Sequence, residues 1–409
     1  MLRVLVLARS YPNDALPTLG VWTERLTLEL AKACQVEVVS PVPYCPPVPQ
    51  LSALRGYSRF RGVARHELRA LVPVHHPRFV VGPGNTTLAL EASSYYHAAR
   101  RRIARIRERF PFDLVHAHFI YPDGVAAQRI AAEYGVPLVV TEHAPWRPLV
   151  DARGIARQVI PAALSAAALT AVSNYVRRTM EGVLPAPRLI DLIPNAVDGR
   201  VFTKRSAGEP RDRNQILFVG QVNYNKGIDV LLTALPKVAA VHPDVRLVIV
   251  GGSYYRRGGD QERQLRARAT ELGLGRRVSF VGHQDSAAVA QLMRRSAMLV
   301  LPSRAETFGV PLIETLASGT PVVSTRSGGP EDIVTPDVGE LVEPGDQGAL
   351  ADAIVRVLRR GDAYVPAKLR AYALSRFGIG SVVARLLDVY ERSALKRGAH
   401  SAELASDRT

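Results

Sequence analysis

The chain has 409 residues, a formal net charge of +16, 47% apolar residues and 6% aromatic residues. That length calls for more than one core, that apolar content excludes a disordered chain, and no apolar run is long enough to span a membrane. Two cysteines, Cys34 and Cys45, support neither a disulfide framework nor a metal site, while the charge leaves an anionic substrate, anionic lipid or nucleic acid open.

The opening apolar run stops at Ala8, before Arg9-Ser-Tyr-Pro, and reads as a first buried strand over residues 3–7 rather than a leader. A turn-rich loop reaches Gly20, which serves either as a plain helix start or as a close approach for a ligand. A helix from Val21 places Leu26, Leu30 and Ala33 on its apolar stripe, and Val36–Ser40 is the second strand. The proline-rich stretch Pro41–Pro49 excludes regular structure. From Arg55 to Arg69 five arginines interleave with Tyr57 and Phe60, a solvated basic face or, as the lesser reading, a lid over an anionic acceptor.

Ser93–Phe110 is a helix with Ile103, Ile106 and Phe110 on a narrow stripe and six arginines from Arg100 to Arg109 beside it. Core packing is the simple reading of the stripe; docking on an anionic membrane is the second. Asp113–His118 is a strand that puts His116 and His118 on one face, and His118 opens the loop Phe119-Ile-Tyr121-Pro-Asp-Gly. A histidine at a strand's carboxyl end can orient a substrate hydroxyl or accept its proton. No third ligand lies at metal-site spacing, so metal is set aside. Pro137–Thr141 ends in Glu142-His143, Leu169–Val172 runs into the cap Ser173-Asn174, and Leu189–Ile193 leads to Pro194-Asn-Ala-Val-Asp198, a seam between domains.

The strand–loop–helix rhythm then restarts. Ile216–Val219 is followed by Gly220-Gln221-Val-Asn-Tyr-Asn-Lys226-Gly227 and the helix Ile228–Val241. A lysine near a helix N-terminus is misplaced by the helix dipole unless an anion binds there. Two further strand-end loops are Gly251-Gly-Ser253 and Gly282-His283. The apolar run Ala297–Leu301 precedes Pro302-Ser-Arg-Ala-Glu306-Thr-Phe308-Gly309-Val310-Pro311-Leu-Ile-Glu314. Strand, loop and a helix opened by Pro311 form an anion site from the N–H groups around Phe308 to Leu312. Glu306 and Glu314 bracket it and suit hydroxyls flanking a phosphate, although for either alone an ordinary helix-start role is simpler. Ser327-Gly-Gly-Pro-Glu331 is another close-approach loop, and Val382–Tyr390 is a final amphipathic helix. The two α/β halves read as doubly wound domains, and the chain lacks both the dinucleotide fingerprint after its first strand and a P-loop.

These motifs together resemble the GT-B retaining glycosyltransferases of family four (glycosyl transferases group 1), of the bacterial cell-surface polysaccharide type. The marker is Glu306 and Glu314 with seven residues between them, supported by His116-Ala-His118, Pro194–Asp198, the Gly220…Lys226-Gly227 loop, Pro302-Ser303 and Gly328-Gly-Pro-Glu331. The resemblance implies two facing Rossmann-like domains with a cleft between them. Residues 1–197 would bind the acceptor and 198–377 the nucleotide sugar. A crossover helix at 378–395 would pack back on the N-terminal domain, and 396–409 would be a loose tail. It implies that Lys226 binds the donor diphosphate, Glu314 the ribose, Glu306 the donor sugar, the backbone of Gly309–Pro311 phosphate or sugar, and Gly282-His283 the base. Gly220, Gln221, Ser253, Phe308 and Val310 complete the donor set. His118 would contact sugar and acceptor, with Gly20, Tyr121 and His143 on the acceptor side. His118, Glu306 and Lys226 form the expected catalytic group, with no metal and no cofactor beyond the nucleotide-sugar co-substrate.

The expected reaction is retaining transfer from a UDP- or GDP-sugar to a glycan or lipid-linked hydroxyl. The expected place is the cytoplasm or the inner face of the plasma membrane, with no nucleic acid partner. A sugar-nucleotide epimerase or hydrolase and a weakly active partner-binding relative are the alternatives. Two positions depart from the family pattern. Gln221 stands where an arginine commonly joins the lysine on the diphosphate, and Ala196 replaces the seam glycine. Arg304 or Arg326 would have to replace the missing charge, or activity would be weak.

Overall fold

The computed structural model describes residues 1–45, 52–82, 87–152, 154–206, 208–252 and 258–406. It divides into two compact units. The first joins Met1–Pro194 to Val382–Thr409, and the second is Asn195–Ser381.

In the first unit the strands are β1 (Arg3–Leu7), β2 (Gln35–Val39), β3 (Val42–Pro43), β4 (His66–Arg69), β5 (Val72–His75), β6 (Arg78–Phe79), β7 (Leu114–His118), β8 (Leu138–Glu142), β9 (Ala168–Ala171) and β10 (Ile190–Leu192). Eight of them form one sheet in the order β10-β9-β8-β7-β1-β2-β5-β4. Every pair is parallel except β4–β5. The central strands are buried along nearly their whole length, as a parallel sheet covered by helices on both faces requires. The strand order reverses at β1, between β2 and β7. Such a switch point opens a crevice at the carboxyl ends of its strands.

The second unit holds β11 (Gln215–Val219), β12 (Arg246–Val250), β13 (Val278–Gly282), β14 (Met298–Leu301), β15 (Val322–Thr325) and β16 (Gly339–Val342). They form one parallel sheet in the order β13-β12-β11-β14-β15-β16. Its switch point lies between β11 and β14, so the loops carrying Lys226 and Glu306 leave neighbouring strand ends.

Four local expectations change. The first helix, Val21–Leu30, buries Thr23, Thr27 and Leu30, while Ala33 lies beyond its end and is exposed. The Thr27 hydroxyl donates to the Thr23 carbonyl at 2.6 Å, which lets a small polar face pack inward. The proline-rich stretch contains β3 after all. Val42 and Tyr44 donate to the Pro77 and Phe79 carbonyls, so the missing N–H of Pro43 falls on the side that needs no donor. Phe60 is buried with Val42 and Val63, and Tyr57 packs partly buried on the same cluster, so these aromatics anchor their segment. The last helix runs from Ile379 to Ser406, through most of the stretch expected as a loose tail.

Candidate active site

The second unit gathers most of the expected donor residues. Gly220–Gly227 follows β11 and turns on Asn223, whose side chain accepts from the Lys226 N–H at 3.2 Å. Gly227 then starts the helix Ile228–Val241 at φ +66°. A Cβ there would fall 2.0 Å from the Pro302 carbonyl oxygen, so glycine is what lets this loop touch the loop after β14. Lys226 crosses to that loop, with Nζ 2.6 Å from Oε2 of Glu306. The Ser303 hydroxyl donates to the same oxygen at 3.3 Å. Glu306 is held through its backbone as well. Its N–H donates to the Ser327 carbonyl at 3.0 Å, and its carbonyl accepts from Gly329 at 2.8 Å.

Three residues further on, the helix Val310–Ala317 opens with Gly309 at its N-cap and Pro311 in its first turn. First-turn N–H groups have no acceptor within a helix and present partial positive charge. Glu314 lies one turn in and is buried. The site therefore carries one ammonium and one carboxylate on a pair of loops, with a helix N-terminus and a second carboxylate one turn into that helix.

Other expected donor residues lie on adjoining strand ends. Gly220 donates to Val250, Gly251 to Gly282, and Val222 to Gly252, so the loops after β11, β12 and β13 are laced together by backbone. The His283 ring lies against Gly252. Ser253 lies outside the described residues. Phe308 is 2% exposed and its ring packs edge-on against Phe377, so its side chain belongs to the core. Gln221 is exposed, and its carbonyl oxygen accepts from the Asn223 amide at 3.1 Å.

Both arginines expected to replace the missing family arginine have carboxylate partners in this structure. Arg304 forms a two-pronged pair with Asp229, at 2.8 and 2.6 Å, and Arg326 lies 3.5 Å from Glu343. Burial alone would raise the Asp229 carboxyl, but the Arg304 hydrogen bonds and charge outweigh it and hold the group below the usual range.

In the first unit, β7 and β8 bring three histidines together. His118 Nδ1 lies 3.0 Å from His143 Nε2, and the His116 and His118 rings are 4.4 Å apart. His116 is fixed at both nitrogens, with Nε2 2.8 Å from the Thr141 hydroxyl and Nδ1 2.7 Å from the Tyr390 hydroxyl. Burial pushes His116 down to about 3 and His118 well below its ordinary value, with neighbouring histidines adding to both shifts. Both rings are therefore neutral at physiological pH. Glu142 is a scaffold. Its carboxylate accepts from the N–H groups of Ile120, His143 and Ala144 and from the Trp146 indole, all within 3.0 Å. These bonds fix the turn that aims His143.

The remaining acceptor-side residues are placed differently. Gly20, at φ +69°, caps the first helix, and a Cβ there would fall 2.0 Å from the Ser10 carbonyl oxygen. The close approach it permits is by this chain's own backbone. The Tyr121 hydroxyl donates to the Leu88 carbonyl and is pushed up to about 12, chiefly by burial.

Sequence reasoning overlooked several residues of these sites. Asn223, Thr141 and Tyr390 act through geometry that no short motif carries, and Ser303, part of the Pro302-Ser303 motif, had no role assigned toward Glu306. Asn223 alone had a local signal, an Asx residue three before Lys226 at a helix start. Asp123 was also missed. Buried at the switch point, it accepts from the Arg9 N–H at 2.5 Å, and burial lifts it to about 7. Among the described residues no group of three or more His, Cys, Asp or Glu side chains is arranged to hold a metal.

Residues 200–374 match the family model described as glycosyl transferases group 1, and residues 19–200 match that of glycosyltransferase family 4. The chain is 31% identical over 345 residues to a phosphatidyl-myo-inositol mannosyltransferase of Mycobacterium leprae, covering 80% of this chain and 88% of that protein. It is 33% identical over 336 residues to a D-inositol 3-phosphate glycosyltransferase of Acidothermus cellulolyticus, covering 76% and 74%. Among solved structures, Anabaena Alr3699/HepE in complex with UDP and glucose superposes with a TM-score of 0.71 at 19% identity, over 96% of this chain and all of that one. Two parallel α/β units with this strand order are the GT-B fold. The chain belongs to glycosyltransferase family four, and it is a hexosyltransferase that takes its sugar from a nucleotide sugar.

Proposed function

We propose that the chain transfers a hexose, with retention of anomeric configuration, from a UDP- or GDP-sugar to a hydroxyl of a phosphate-bearing polyol or lipid-linked acceptor. The observation that carries this reading is the Lys226–Glu306 pair at the switch point of the second sheet, beside the N-terminus of the helix Val310–Ala317. A diphosphate bound there would take over Lys226 from Glu306 and lie against the helix N-terminus. Both groups would stabilise the negative charge that develops on the leaving diphosphate. Glu306, released from the ammonium, would turn its carboxylate to the sugar hydroxyls. Glu314 would accept from the ribose, and His283 would lie against the base. The bond to the acceptor would form on the face that the leaving group vacates.

His118 is neutral and can therefore accept a hydrogen bond from a sugar or acceptor hydroxyl, with His143 holding its other nitrogen. The acceptor class is supported by the two relatives, which are named for phosphatidyl-myo-inositol and D-inositol 3-phosphate. A cell-surface polysaccharide acceptor is the second reading, favoured by the opening segment through Gly20 and the Ser40-Pro-Val-Pro run. No described helix is long and apolar enough to cross a membrane. The exposed Arg100, Arg101 and Arg105 on the helix Glu91–Arg109 suit peripheral contact with anionic lipid on the cytoplasmic face, while Arg109 is taken up by a two-pronged pair with the buried Glu37.

The test is a thermal-shift panel of UDP, GDP and ADP with their hexose conjugates, followed by incubation of the stabilising donor with phosphatidylinositol, inositol phosphate and surface glycans. The anomeric configuration of the product is then read by NMR. Shift by one nucleotide and an axial-for-axial product support the reading. An inverted product or donor hydrolysis independent of acceptor overturns it.

A further inference from the structure

We propose that Arg304 is the positioning residue of the donor site, a clasp that sets where Lys226 stands. The proposal rests on the reading of Lys226 as the diphosphate-binding group.

Arg304 grips the lysine loop on both sides of Lys226. Its backbone N–H donates to the Asn225 carbonyl at 2.7 Å, and Nη1 donates to the Tyr224 carbonyl at 2.7 Å. Tyr224 and Asn225 are the two residues before Lys226. Nη1 and Nη2 also engage both oxygens of Asp229, three residues after Lys226, at 2.8 and 2.6 Å. The guanidinium lies 3.9 Å from the centroid of the Tyr224 ring. A fork and a flat face are both needed for this set, which arginine supplies and lysine does not.

Arg304 is two residues before Glu306, the partner of the Lys226 ammonium. One side chain therefore fixes the spacing between the two loops whose tips form the charged pair. An exposed ion pair by itself contributes little. This one differs in being two-pronged, stacked, and joined to the backbone of the segment it holds. Gln221 makes the placement matter more. With a neutral amide where the family commonly has a second cation, the position of the Lys226 charge decides how well the diphosphate is held.

The experiment compares wild type with Arg304→Gln, Arg304→Lys and Asp229→Asn, and with Lys226→Ala as the reference. Affinity for UDP and GDP is measured by calorimetry, and affinity for uridine and guanosine by NMR titration, with melting temperature as the check on folding. The expected result is a 10- to 100-fold loss of affinity for the bound diphosphate in each variant, with nucleoside affinity unchanged. Arg304→Lys should fail to restore binding. The double variant Arg304→Gln/Asp229→Asn should lose no more than either single change, because both remove one clasp. Parallel loss of nucleoside and diphosphate affinity would mean a general structural role and overturns the proposal. So does an unchanged diphosphate affinity in Arg304→Gln and Asp229→Asn while Lys226→Ala weakens it. If Lys226→Ala itself leaves diphosphate affinity intact, the reading of Lys226 fails, and the clasp with it.

Discussion

The strand-end sites of the two units are built on opposite electrostatic plans. In the second unit an ammonium and a carboxylate meet at 2.6 Å with part of each side chain still reaching solvent. In the first unit His116 and His118 are wholly buried, without a carboxylate on either ring, and burial keeps them neutral. A charged site that already contains its own counter-ion suits a charged ligand that replaces it. A dry site of neutral rings suits a hydroxyl, to which it offers a lone pair without a competing charge.

Removing the cation should break this contrast most strongly. Lys226→Ala is expected to lower turnover on the order of 10² to 10³-fold, as loss of a preorganised group on a developing anion does. Steady-state kinetics with the donor found by thermal shift checks it, and a change under threefold would show that the charged pair has no part in the chemistry. Glu306→Gln sharpens the same point. It frees Lys226 from its internal partner, so nucleoside diphosphate affinity should rise severalfold while turnover falls at least tenfold; calorimetry beside kinetics separates the two.

The neutral half should respond next. His118→Ala is expected to cost on the order of 10² in turnover while leaving diphosphate affinity as it was. Because burial holds His118 well below its ordinary value, the wild-type rate should show no histidine-like limb between pH 6 and 8. A limb in that range that vanishes in His118→Ala would refute the neutral reading.

Stability gives smaller effects with a definite sign. Burial pushes the folded His116 down to about 3 from its ordinary 6.5, so between those pH values the unfolded chain binds the extra proton. Its contribution is complete above 6.5 and falls by about 1.4 kcal/mol per pH unit on acidification. His116→Asn should remove its share of the slope in denaturant titrations run from pH 7 to 4, leaving the same-signed share of His118 and the opposite-signed share of Asp123. Tyr390→Phe leaves the His116 Nδ1 without its 2.7 Å partner and should cost about 1–2 kcal/mol at neutral pH, read as a lower melting temperature.

Much of this arrangement was legible in the chain itself. Apolar runs of strand length, each followed by glycine, proline or asparagine, placed the sheets and hence the strand-end loops. Lys226 stood out because its charge is awkward near a helix N-terminus, and Glu306 because it brackets an anion-binding loop together with Glu314. What escaped reading depends on distance or direction. Arg304 looked available for phosphate, but its direction is set by Asp229, a packing choice that spacing does not encode. Thr27 took a place on the buried stripe because its hydroxyl satisfies itself on the Thr23 carbonyl of its own helix. Pro43 entered a strand because only the face of the backbone that pairs matters. The arginine run from Arg55 to Arg69, read first as a solvated face, did not disclose that Tyr57 and Phe60 within it pack on Val42 and Val63.

The partnership of Tyr390 with His116 spans 274 positions of chain. The first unit is consequently built from two stretches that lie on either side of the second, which is one continuous stretch, Asn195–Ser381. On the ribosome the usual order of completion should therefore be reversed. The middle of the chain can finish folding while the amino-terminal sheet still waits for the helix that covers its histidines. A fragment ending at residue 194 would lack that cover, and an early stop codon a few residues before Tyr390 would damage a sheet synthesised before the second unit.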